Sequence, residues 1–220
     1  MPDGPARNSR PRDDRANFDV RPVFPLSAGP DPAEKPGEST YGGSEMAQAK
    51  GTVMIGSVKY LRSNKEEAAK ILPDDLQHYL TERISPSAWY PEEDSVELIR
   101  AIVQLMPGHF DEVLEKLGVA TANLLGAGVY SHLVSEPGSD SSAYALWASM
   151  HDSGKMSITK EEDHVVIYRL AEYSHPCKEM CGIVSSFFQE TNRMGGRPIT
   201  LSEVDCVLSG APACSWRGTW

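Results

Sequence analysis

A chain of 220 residues, 40% of them hydrophobic, can bury a substantial core as one domain or at most two small ones. A formal charge of −10 argues against a nucleic-acid backbone as partner, since phosphate binding needs clustered Lys and Arg. No run of eighteen apolar residues is present and the N-terminal MPDGPARNSRPRDD lacks an apolar core, so neither a membrane span nor a secretory signal is expected.

The expected address is therefore the cytoplasm, where thiols stay reduced and clustered cysteines suggest metal or redox chemistry. Residues 1–47 carry half of the chain's 16 prolines and few periodic apolar residues. Such a composition cannot offset its ordering entropy, so a disordered tail is expected there and a single domain over 48–220. Phe18, Val20, Val23, Phe24 and Leu26 form a small apolar island in that tail.

Thr52–Leu61 is apolar and short, so strand and helix compete. Asn64 is placed to cap a helix over Lys65–Leu72, and Pro73 opens a second one through Ile84. Ser85–Tyr90 is a linker with two large aromatics, Trp89 and Tyr90. Pro91-Glu-Glu-Asp94 starts a helix whose Val96, Ile99, Ile102, Val103 and Met106 share one face. Pro107-Gly108 ends it, and a further helix is expected from Phe110 to Leu117, stopping at Gly118.

Ala120–Val134 is helix-like, with Gly126 and Gly128 allowing another backbone or a ligand to approach. After the turn at Pro137–Asp140, a helix over Ser142–His151 carries a stripe of Tyr144, Trp147 and Met150, which reads as core. Met156–Thr159 and His164–Leu170 then form a hairpin. His175-Pro176 opens a helix to Phe188, Thr191–Gly196 is a loop, and Pro198–Leu208 with Ala213–Arg217 forms a second hairpin. Helices followed by strand–strand–helix–strand–strand predict an α+β domain, a helical N-terminal part packed on a small antiparallel sheet.

All four cysteines lie in the last forty-five residues. Cys177 and Cys181 are i and i+4 at a helix start and can face one side. Cys206 and Cys214 flank the second hairpin turn, with Glu203 and Asp205 just ahead. Zinc takes four Cys, His or carboxylate donors in a tetrahedron, and the inventory suffices. Buried free thiols or a redox pair are the alternatives.

Pro176-Cys177, Gly182, Glu203-Val-Asp-Cys206, Gly210 and Cys214-Ser-Trp216 together resemble the end of the 4-vinyl reductase domain, the hydrocarbon-binding sensor of phenol- and xylene-responsive activators. The resemblance implies a structural zinc on Cys177, Glu203, Cys206 and Cys214, with Cys181 competing for the first position. A filled four-ligand site leaves no open position, so it would serve folding and not catalysis. The middle of the chain, around Lys59-Tyr-Leu-Arg62 and Ser87–Pro91, is similar to an uncharacterised myxobacterial paralogous family. Both resemblances imply the ligand-binding fold shared with NO-sensing haem domains and vesicle-tethering subunits. The haem version uses a Tyr-x-Ser-x-Arg motif, which none of the eight tyrosines begins, so no haem is expected.

The reading is a non-enzymatic sensor or carrier for a small hydrophobic or aromatic ligand in an enclosed apolar pocket. Trp89, Tyr90, Phe110, Tyr130, His132, Trp147 and His151 are its candidate lining, and either His132 or His151 could hydrogen-bond a ligand hydroxyl. Output would pass through a homodimer or a signalling-protein partner. The alternatives are an assembly subunit without a small ligand, or a tetrapyrrole-related reductase. For the reductase no GxGxxG opens a βαβ unit, since Gly126-Ala-Gly128 sits inside a helix-like run.

Overall fold

The computed structural model describes residues 46–128, 130–131 and 140–220. Residues 1–45, with the apolar island, and His132 lie outside the described residues, as do most of Val129–Asp140.

A two-stranded ribbon opens the fold. β1 (Gln48–Lys50) pairs antiparallel with β2 (Trp89–Pro91). Between them run α1 (Gly51–Ser63), α2 (Lys65–Ile71) and a 3-10 turn over Asp74–Leu80. The short apolar stretch after Gly51 is thus helical: Met54, Val58 and Leu61 are buried at helical spacing. Asn64 does not cap α2. Its side chain donates back to the Tyr60 carbonyl (3.0 Å) instead.

α3 (Glu92–Leu105) buries Val96, Ile99 and Ile102 as its periodicity requires. Pro91 belongs to β2 and precedes the helix, so its first turn holds Glu92, Glu93 and Asp94. α4 (Phe110–Gly126) runs straight through Gly118. That glycine is not a stop but a crossing point: a Cβ there would lie 2.6 Å from both the Ile183 carbonyl and Ser186 Cβ. α5 covers Asp140–Met150.

β3 (Lys155–Glu162) and β4 (Val165–Ala171) form the first hairpin, α6 (Lys178–Met194) follows, and β5 (Thr200–Asp205) and β6 (Ala213–Thr219) complete the sheet. The order is β3-β4-β6-β5, all antiparallel. α6 continues six residues beyond the expected end at Phe188, through most of the expected Thr191–Gly196 loop. Thr191 and Asn192 are buried, and Asn192 Nδ2 donates to the Tyr168 hydroxyl (2.7 Å), which ties the last turns to β4. One hydrophobic cluster joins α1, α3, α4 and α6 to the inner face of the sheet, including Tyr168 and Trp216. The molecule is an α+β fold, helices first and a small antiparallel sheet after. No helix among the described residues is long and apolar enough to cross a membrane.

Candidate functional site

Four helices, with Ile99 of α3 closing one side, leave a cavity of about 330 Å³ between them. α1 presents Val53, Gly56, Ser57 and Tyr60, α4 presents Leu117, Ala120, Thr121 and Leu124, and both sets repeat at i, i+3 or i+4 and i+7. α5 adds Leu146, Trp147 and Met150, His151 follows directly after it, and α6 adds Met180, Ile183, Val184, Phe187 and Phe188. The lining is mostly apolar, and the volume falls at the lower end of the roughly 300–1,000 Å³ usual for small-molecule sites. Trp147 and Met150, whose stripe reads as core, are wall residues, and Tyr144 of the same stripe is 53% exposed.

Of the aromatic and histidine candidates, the cavity brings together Trp147 and His151. Trp89 lies on the β1–β2 ribbon under the Lys50 ammonium, 5.2 Å from the ring centre. The Tyr90 hydroxyl accepts from the Ser85 amide (2.9 Å), so that ring packs against the linker. Phe110 is 39% exposed at the start of α4, and Tyr130 packs against the core off the cavity wall.

Behind the wall sits a feature the chain order conceals. Glu92 is fully buried, and His151 is 5% exposed. The His151 Nδ1 is in very close contact with Glu92 Oε1, Tyr173 donates to the same oxygen (3.0 Å), and Ser153 donates to Oε2 (2.7 Å). Burial would raise the Glu92 carboxyl, but His151, by its hydrogen bond and by its charge when protonated, together with the hydrogen bonds from Ser153 and Tyr173, outweighs it and holds it below its ordinary value. His175 Nδ1 lies 4.0 Å from Oε2 with no hydrogen-bond partner among the described residues. The His151 ring stacks on Trp147 (4.1 Å between centres, 13° between planes), and Tyr173 meets both edge-on. Gly154, at φ +79°, makes the turn that allows this: a Cβ there would lie 3.2 Å from Trp147 Nε1.

The second constellation is the thiol cluster. Cys181 Sγ lies 3.6 Å from Cys214 Sγ, which lies 4.0 Å from Cys206 Sγ. All three donor atoms fall within 4.8 Å of one another. The partner that α6 contributes is thus Cys181 and not Cys177. Cys177 is the N-cap of α6, where its sulfur accepts from the Met180 amide (3.3 Å), and burial pushes its thiol up to about 11. Helix phase explains the swap, since the cap residue precedes the first turn whereas Cys181 lies on the face turned toward β6. Glu203 lies close enough to Cys206 to help raise its thiol, but outside the group of three. Asp205 instead accepts from Ser215 Oγ (2.8 Å).

Burial raises the Cys181 and Cys206 thiols, and their sulfur neighbours and Glu203 raise them further. A bound dication would reverse that balance. Zinc–thiolate bonds of about 2.3 Å in a tetrahedron hold sulfurs about 3.8 Å apart, and the observed 3.6 and 4.0 Å bracket that spacing. The donor set fits zinc.

Searches of protein families and of curated proteins return no match for the chain. Solved structures do match. An H-NOX protein from S. oneidensis in the Fe(II)NO state superposes with a TM-score of 0.54 at 13% identity, over 77% of this chain and 97% of that one. An oxygen-binding H-NOX domain related to soluble guanylate cyclases gives 0.55 at 11%, over 77% and 94%. An unliganded Fe(II) H-NOX protein from K. algicida gives 0.56 at 8%, over 77% and 95%. The chain has the H-NOX fold. Two of these structures are described as Fe(II) proteins, and a further match is described by its haem, which raises the question of whether this cavity suits a haem. Among the described lining residues there is no arginine for the propionates, and the one cationic side chain, Lys59, is exposed at the rim. The lining imidazole is clamped between Glu92 and Trp147. The described residues do not fit a haem.

Proposed function

We propose that the chain is a non-enzymatic binding or sensing domain for a small, mostly apolar molecule, of the 4-vinyl-reductase kind, stabilised by a structural zinc. The cavity carries this reading: four helices contribute apolar faces to one space, and a packed core would have closed it. A buried ligand would be recognised largely by shape and apolar contact, with His151 as a polar contact on the α5 wall. Zinc would be held by Cys181, Cys206 and Cys214, with Glu203 swinging in as the fourth donor. Bound there, it would tie α6 to the β5–β6 hairpin and contribute on the order of 10 kcal/mol to folding. Output would pass through a second copy of the chain or a signalling partner, in the cytoplasm.

Native mass spectrometry of the protein purified under reducing conditions tests these points together, because it reports zinc, co-purified ligand and subunit number. One zinc per chain is expected, lost in Cys181→Ser, Cys206→Ser and Cys214→Ser and kept in Cys177→Ser. Zinc-free native protein, or loss of zinc through Cys177→Ser with retention in Cys181→Ser, would refute the ligand set.

A further inference from the structure

The proposed binding cavity has a polar contact whose hydrogen-bonding sense is set from behind. Glu92 is fully buried, and both of its oxygens are engaged. An ionised carboxylate only accepts hydrogen bonds, so the His151 nitrogen facing it, Nδ1, must carry a proton. In a neutral imidazole the other nitrogen then holds a lone pair and accepts. The ring that lines the cavity cannot easily turn to offer anything else, because it is stacked on Trp147 and abutted by Tyr173.

We infer that Glu92 is a positioning residue that makes His151 Nε2 a hydrogen-bond acceptor in the cavity wall, so the site selects apolar molecules bearing one N–H or O–H donor over isosteres that only accept. The inference rests on the ligand-cavity reading above and adds to it a polarity. Elsewhere in the lining, Thr121 Oγ1 is already committed, donating to the Leu117 carbonyl at 2.8 Å, so it does not offer its proton to a ligand. A ligand lacking a donor would leave Nε2 desolvated and unpaired, which is how a hydrogen-bonding site rejects an analogue of the right shape.

Three bicyclic probes of nearly one shape separate the possibilities: indole, which donates; benzofuran, which can only accept; and indene, a hydrocarbon. Calorimetric titration of the full chain should show indole binding at least about tenfold more tightly than benzofuran. Glu92→Leu, which removes the acceptor from Nδ1 without touching the lining, should bring that ratio close to one while keeping indene affinity within about threefold, the sign that the cavity is intact. In parallel, 15N shifts of the His151 ring in the ligand-free protein should show Nδ1 protonated and Nε2 bare. Equal binding of indole and benzofuran by the native protein, or a ring protonated at Nε2, overturns the inference while leaving the cavity reading in place. Failure of all three probes to bind overturns the cavity reading and the inference with it.

Discussion

Glu92 shows how far a residue's role can lie from its local signal. In the sequence it is one of three acids opening a helix, where the dipole alone accounts for it. Its hydrogen-bond partners lie 59, 61 and 81 positions away, so only the tertiary fold reveals that it is buried and shared. His151 and Trp147 were legible as cavity candidates because aromatic and imidazole groups suit such walls, but Trp89, Tyr90 and Phe110 met the same criterion and lie elsewhere. Composition named the residue types without their placement. Replacing Glu92 by Gln should lower unfolding free energy by about 2–3 kcal/mol at neutral pH, since buried donors lose their charged acceptor. The pH dependence has a definite sign. A carboxyl held low in the folded state contributes stability above its unfolded value, near 4.5, and loses it as pH falls through the lower folded value. Urea titrations between pH 7 and pH 3 should therefore converge for native and variant protein at the acid end.

Between helices, the decisive contact is the α4–α6 crossing. By sequence Gly118 reads as a stop signal, because glycine often follows a helix end. Here it is buried inside α4, where its missing side chain lets the backbone of α6 pass. Ala at this position would meet Ile183 O and Ser186 Cβ at 2.6 Å and the Phe187 amide nitrogen at 2.9 Å, so the helices must separate. A loss of about 1–3 kcal/mol is expected. Gly56 of α1 offers the contrast. Nothing lies within 4 Å of its Cβ position, so Gly56→Ala should raise stability by up to about 1 kcal/mol. Thermal melts of the two variants should move in opposite directions. The full length of α6 was hidden for a related reason: Thr191 and Asn192 read as loop residues, yet buried contacts with β4 keep them helical.

For the molecule as a whole, α3, α6 and the two hairpins of the larger sheet could be read from periodicity, because they leave local patterns, whereas the type of α1 and the β1–β2 ribbon could not. The cavity could not, because it arises from faces of four helices spread between Val53 and Phe188. The thiol cluster falls between these cases: Cys206 and Cys214 are joined by a local turn, while the choice between Cys177 and Cys181 depends on helix phase. α6 belongs to both sites, since Met180, Ile183 and Val184 line the cavity and Cys181 points to the other thiols. A ligand that shifts this turn must change zinc affinity, and zinc must change ligand affinity by the same factor. Indole titrations of zinc-loaded and chelator-treated protein should differ by a measurable ratio, matched by zinc titrations with and without indole.

The strand order carries a consequence for how the chain is made. β6 lies between β4 and β5, and no other strand of the sheet touches β5. During synthesis, residues 155–171 can zip into a hairpin early, but β5 leaves the ribosome with no neighbour to pair with. Until Ala213–Thr219 follows, the open edge of β4 and the Cys181 thiol of α6 await the same seven residues, so the nascent sheet matures in a single late event.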